Sequence, residues 1–149
     1  PELLARLAFN LATAHADGRI AEGVQVSSVA VAISDHEGTG VLAGGLDEGS
    51  RSLERSGGGV SVPLLPLASV VAAERLARID VMKIDVEGHE DKVLPPFFAN
   101  APCSLWPGLV VIEHLARTDW KIDCIADARS RGYRVVLESP NNTVLERTD

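Results

Sequence analysis

Short apolar runs alternate with segments of helical period along this chain, and that alternation constrains its fold more than any other feature. Ile79-Asp80-Val81-Met82-Lys83-Ile84-Asp85 is apolar on adjacent as well as alternate positions, as a strand buried on both faces should be. Leu109-Val110-Val111-Ile112-Glu113-His114 has the same character. Around these two runs the periodicity predicts further elements. A helix spans Leu3 to Ala14 and stops at Asp17-Gly18. A strand spans Val24 to Ile33 and breaks at the polar turn Ser34 to Gly38, with Val41-Leu42 as a short strand beyond it. Gly44 to Gly59 is glycine-rich and polar and reads as a flexible loop. Val60 to Leu65 reads as an edge strand, because Pro63 has no N–H for a ladder. Helices are predicted over Leu67–Ala77, His89–Asn100, with a break at Pro95-Pro96, and Trp120–Arg131. Thr118-Asp119 is the cap expected for the last of these, with Ile122, Ile125 and Ala126 as its inner stripe and Gly132 as its stop. Two final strands, Tyr133–Glu138 and Thr143–Glu146, flank Pro140-Asn141-Asn142 and must pair antiparallel across so short a link. The order predicts an α/β fold with a mostly parallel sheet covered on both faces.

Length and charge narrow the functional classes. The 149 residues suit one domain, with 46% hydrophobic and 23% charged residues. A net charge of −7 and an aromatic content of 4% argue against a nucleic-acid reader, which needs a basic face and stacking platforms. No apolar run approaches a membrane span, and Glu2 and Arg6 among the first leucines do not make a signal peptide. Cys103 and Cys124 lie far apart without paired spacing, which reads as two reduced thiols in a cytoplasmic protein.

In open α/β sheets ligands sit beyond the carboxyl ends of the strands. The run ending at Ile84 delivers Asp85, Glu87, His89 and Glu90 there. The run ending at Ile112 delivers Glu113 and His114, and the run ending at Ile33 delivers Ser34 and Asp35. Carboxylates and imidazoles are the usual proton acceptors in such a place. Two readings are open for Asp85 and Glu87: functional groups, or caps of the helix that follows. The same residues with His89 have the atom types of metal ligands but lack any HExxH spacing, and no metal site is assigned. No GxxxxGK[ST], GxSxG or GxGxxG motif is present; Gly57-Gly58-Gly59 precedes a strand instead of opening a helix.

The segment from Ile79 to Glu90, with Val93-Leu94 after it, resembles the signature of the FkbM-like methyltransferases, "D-x-x-K-I-D-V-E-G-x-E" followed by "V-L". Val29–Asp35 with Gly38, Ser50-Arg51-Ser52-Leu53, Val111-Ile112-Glu113-His114 and the opening Pro1 to Leu11 are similar to other parts of that family's domain. The resemblance implies a Rossmann-like class I methyltransferase, a three-layer sandwich that uses S-adenosylmethionine to methylate a hydroxyl of a sugar or secondary metabolite. It implies Asp85 beside the methionine moiety and Ala32 and Ile33 near the adenine, and it carries Glu87 and Glu90 as signature residues without an individual role. Together with the strand-end reading, this makes Asp85, Glu87, Glu113 and His114 the candidate catalytic set. The family's first strands and glycine-rich cofactor loop have no counterpart in these residues, so residues 1–149 correspond to the C-terminal two-thirds of such a domain. Pro66-Leu67-Ala68 stands where the family commonly has Thr-Leu-Asp. A non-catalytic interaction module is the competing reading, and a metal-dependent α/β enzyme a third. The expected partner is a small hydroxylated acceptor, with self-association through an exposed sheet edge along residues 79–85.

Overall fold

The computed structural model describes residues 2–43, 53–54 and 59–148. The loop expected over 44–59, including Ser50-Arg51-Ser52, lies outside the described residues apart from Leu53-Glu54 and Gly59. Two compact units divide at Ala30 and Val31.

The first unit holds α1 (Glu2–Ala16), which ends where the sequence puts its stop: Asp17 N–H donates to Thr13 O at 2.9 Å, and Gly18 takes φ +68°. The strand expected from Val24 onward does not form. Residues 24–31 carry no strand pairing, and Val24, Val26 and Val29 are exposed. Branched side chains favour a strand only where a neighbouring strand supplies partners. Among the described residues such a partner exists for Ala32–Ile33 alone.

The second unit holds two sheets of four strands. In the first, β1 (Ala32–Ile33), β2 (Gly38–Ala43), β3 (Leu53–Glu54) and β4 (Gly59–Leu65) lie in the order β1-β4-β2-β3. The expected edge strand is therefore an interior one: β4 runs parallel to β1 and antiparallel to β2. Pro63 is tolerated because β1 reaches only Leu64 and Leu65, so Pro63 faces a ladder on one side only, opposite Thr39.

The second sheet comprises β5 (Val81–Ile84), β6 (Leu109–Glu113), β7 (Tyr133–Glu138) and β8 (Asn142–Arg147), in the order β5-β6-β8-β7. Here β5 and β6 are parallel, and β8 is antiparallel to both β6 and β7. The expectation of a mostly parallel sheet is thus corrected to two mixed sheets. Each has one parallel pair among the described residues. The tight β7–β8 turn forces an antiparallel return, and β8 then slots between β6 and β7. Among the described residues β5 borders only β6, and Val81 is 60% exposed along that edge.

The helices are shorter than their periodicity suggests. α2 (Leu67–Ala73) stops before Arg75, whose φ is +55°. Glu90–Lys92 forms a single 3-10 turn, and α3 (Leu94–Asn100) starts after it. Pro95 and Pro96 open this helix instead of breaking one, since the first turn needs no N–H from them. α4 (Cys124–Ser130) begins later than predicted. Its cap is Asp123, whose Oδ1 accepts from Ile125 N–H and Ala126 N–H at 3.0 and 3.1 Å. Residues 117–119 form a 3-10 turn, and Ile122 and Ala126 are exposed while Cys124, Ile125 and Ala128 are buried.

The core gathers Leu94 and Phe97 of α3, Val110 and Ile112 of β6, and Leu145 of β8, with Ile84, Val71 and Ile33 against them. Phe98 packs on Trp106 and Tyr133 with ring centroids 5.0 and 5.4 Å away. Tyr133 donates to Pro107 O at 2.6 Å, and burial pushes its hydroxyl up to about 12. The Arg131 guanidinium sits 5.5 Å from the Phe98 ring centroid and 5.7 Å from that of Trp106. Among the described residues no helix is long and apolar enough to cross a membrane.

Candidate active site

β5 and β6 place their acids at the same sheet edge. Their register pairs Ile84 with Ile112, so the next residues along each strand are Asp85 and Glu113. Ile84 and Ile112 point into the core, which turns Asp85 and Glu113 to the other face by the two-residue alternation of a strand. The chain then turns through Val86-Glu87-Gly88. Glu87 adopts φ +51° and Gly88 φ +93°, a pair of left-handed residues that reverses the chain and returns the Glu87 side chain to the strand ends. The carboxylates of Asp85, Glu87 and Glu113 thereby present oxygens within 4.8 Å of one another.

Crowding three acids has an electrostatic consequence. Glu113 is held above the usual carboxylate range, first by burial, then by the charges of Asp85 and Glu87 and by a hydrogen bond with Asp85. Asp85 also forms an ion pair with Lys83, which lies on the same strand face. His89, at the N-cap position of the following turn, makes no side-chain capping bond. Oxygens so close together could hold a cation, and exposed acids commonly approach this closely without one.

The fourth residue of the expected set, His114, does not belong to this group. Its Nδ1 lies 2.9 Å from Thr143 Oγ1 and its Nε2 3.2 Å from Pro140 O. Both ring nitrogens face the β7–β8 turn, because His114 follows Glu113 and takes the opposite direction. Its contacts fasten the end of β6 to that turn. Ala32 and Ile33 are half-buried at β1, followed by the buried Ser34. Asp35 is held below the usual range by its 2.6 Å contact with His36, and its charge reaches His89.

The sequence reading left Glu90 without a role and did not single out Asp91. Both are buried. Glu90 Oε1 accepts from Val86 N–H at 3.1 Å and Gly88 N–H at 3.3 Å, and its Oε2 accepts from the Trp120 indole at 2.8 Å. Asp91 accepts from Lys121 N–H at 2.9 Å. No local signal marks them, since Glu90 and Asp91 stand among the polar residues Asp85, Glu87, His89 and Lys92; buried acids need donors, and these come from outside the pair.

A mixed α/β domain with acids gathered past the carboxyl ends of two parallel strands has the layout in which α/β enzymes bind ligands. Residues 1–135 match the family described as the Methyltransferase FkbM domain, and the chain belongs to that family. The resemblance carried by the 79–94 segment is borne out by this match. Neither the curated proteins nor the solved structures include a match to the chain.

Proposed function

We propose that this domain catalyses S-adenosylmethionine-dependent methylation of a hydroxyl oxygen on a small acceptor, a sugar or a secondary metabolite. The observation that carries the reading is the Asp85–Glu87–Glu113 group at the β5 and β6 ends of an FkbM-family chain.

The residues fit the cofactor by charge. S-Adenosylmethionine carries a sulfonium and an ammonium, and three crowded carboxylates are relieved by a nearby cation. Asp85 would hold the ammonium, and the half-buried Ala32 and Ile33 would take the adenine. When bound, the cofactor supplies an electrophilic methyl group.

The chain's own residues supply orientation and proton transfer. Glu113, raised by burial and then by its acidic neighbours, is a stronger base than an ordinary carboxylate and suits the removal of a hydroxyl proton. Once it carries the proton, Glu113 donates a hydrogen bond to Asp85, which fixes its direction. Proximity of acceptor and methyl donor then contributes most of the acceleration. His114 is dropped from the catalytic set in this proposal, since its ring is engaged by Thr143 and Pro140.

Calorimetry with S-adenosylmethionine and transfer of an isotope-labelled methyl group to a panel of hydroxylated acceptors test the proposal on the full chain. Binding together with label on oxygen supports it. Absence of binding, or label found only on nitrogen, overturns it.

A further inference from the structure

We infer that Glu90 is a positioning residue: its buried carboxyl group locks the 86–88 turn in the one conformation that holds Glu87 against Asp85 and Glu113. Glu90 is 1% exposed and touches none of the reacting groups proposed above. It acts on the backbone. The two N–H groups that flank Glu87, those of Val86 and Gly88, converge on Oε1 at 3.1 and 3.3 Å. Converging main-chain N–H groups form a concavity that is completed by an anionic oxygen.

The turn needs such an anchor. Glu87 has φ +51°, a conformation that a residue with a Cβ holds only when its surroundings impose it. Without an acceptor on either side, the turn would relax to an ordinary φ and swing the Glu87 carboxylate away from the strand ends. Glu90 cannot rotate out of place, because Oε2 accepts from the Trp120 indole at 2.8 Å. Asp91 fastens the neighbouring Lys121 N–H, so the same stretch of chain is pinned at two successive residues. The line of action runs from Trp120 through Glu90 to the 86–88 turn, and from there to Glu87.

The catalytic consequence of this role rests on the methyl-transfer reading, while the positional role does not, and one set of variants separates the two. Glu113 is the reporter. The charged groups that bear on it are Asp85, Glu87 and Glu90, with Lys83 paired to Asp85. Its carboxyl titration is followed by carbon-detected NMR, alongside thermal melting. In a W120F background the indole donor is gone, and Gln can replace Glu at 90 while still accepting from Val86 and Gly88. Met cannot accept from either. Both double variants lack the Glu90 charge, so Glu113 should titrate at a higher midpoint in E90Q/W120F, where the turn is held, than in E90M/W120F. Where Trp120 is kept, E90Q sets an amide donor against either the indole or the turn. Its Glu113 midpoint should lie below that of E90Q/W120F, which has the same charge, a comparison that decides the matter even if E90M/W120F does not fold. Identical Glu113 titration in folded E90Q/W120F and E90M/W120F, or in E90Q and E90Q/W120F, overturns the inference. Turnover adds the functional half. The kcat should drop about tenfold or more in E90M/W120F, with acceptor KM unchanged, and persist in E90Q/W120F. If Glu113 follows the expected pattern while wild type transfers no methyl group, the methyl-transfer reading fails and the positional role stands.

Discussion

Between Asp85 and Asp91 the chain carries two pairs of acids that differ in what their oxygens face. Asp85 and Glu87 are exposed, and their charges raise a third carboxyl, that of Glu113. Glu90 and Asp91 are buried, and three main-chain N–H groups and an indole donate to them. The first pair acts through its field on whatever enters the strand ends. The second pair acts through hydrogen bonds on the chain that displays the first. Proximity in a motif therefore says little about role; the donors around each carboxyl decide it.

The largest expected effect falls on the buried pair. Glu90→Ala leaves the Val86, Gly88 and Trp120 donors without their acceptor, and should cost roughly 3–5 kcal/mol of stability in urea unfolding. Asp85→Ala should change stability by less than about 0.5 kcal/mol. Equal losses in the two variants would erase the distinction.

Next comes the exposed pair's effect on turnover. Asp85→Asn keeps the shape and removes the charge, so methyl transfer should fall about tenfold to a hundredfold with the melting temperature unchanged. Near-normal turnover would remove Asp85 from the site. A loss of stability would instead place it with Glu90 as part of the architecture.

A smaller effect is expected at the joint between the pairs. Gly88 has φ +93°, and a Cβ there would lie 3.3 Å from the Ala116 Cβ. Gly88→Ala should destabilise by about 1–2 kcal/mol and lower turnover along with it, measured by urea unfolding and by initial rates. Unchanged stability would mean that the turn tolerates an ordinary residue and needs no clamp.

The smallest effect has the opposite sign. Because the folded state holds the Glu113 carboxyl above its ordinary range, protonated Glu113 favours folding. That contribution is complete below the ordinary carboxylate range and is lost as pH rises through the folded-state value. Glu113→Gln should thus be no more stable than wild type in acid and more stable at neutral pH, by less than about 1 kcal/mol. Unfolding curves at the two pH values check the sign. A Gln variant less stable at neutral pH would show that Glu113 is held by attraction.

The strand framework of the second sheet was legible because Val81–Ile84, Leu109–Ile112 and the last two strands are short apolar or alternating runs with clear turns between them. The meeting of Asp85 with Glu113 followed from the phase of two such runs once they proved to be parallel neighbours. Pairing partners were not legible. Nothing local says that β8 inserts between β6 and β7, or that Val24 to Val29 find no neighbouring strand among the described residues. The start of α4 was misread because Thr118-Asp119 and Asp123 are equally good caps by residue type. Only the bonds to Ile125 and Ala126 choose between them. His114 parts from the Asp85–Glu87–Glu113 group because the alternation that turns Glu113 to that group turns the next residue away from it. Glu90 had no readable role because its indole partner stands thirty positions along the chain.

The bond between Trp120 and Glu90 also makes the protein its own optical probe. The chain has two tryptophans, and they occupy dissimilar surroundings. Trp106 is half-buried beneath the guanidinium groups of Arg131 and Arg147, 5.7 and 5.6 Å from its ring. Trp120 is buried with its N–H on a carboxyl oxygen. An indole's emission shifts when its hydrogen-bond acceptor moves or changes charge. In a Trp106→Phe background, ultraviolet fluorescence would therefore report on the 86–88 turn without any attached dye, and would register a ligand settling at the strand ends as a colour change on the far side of Glu90.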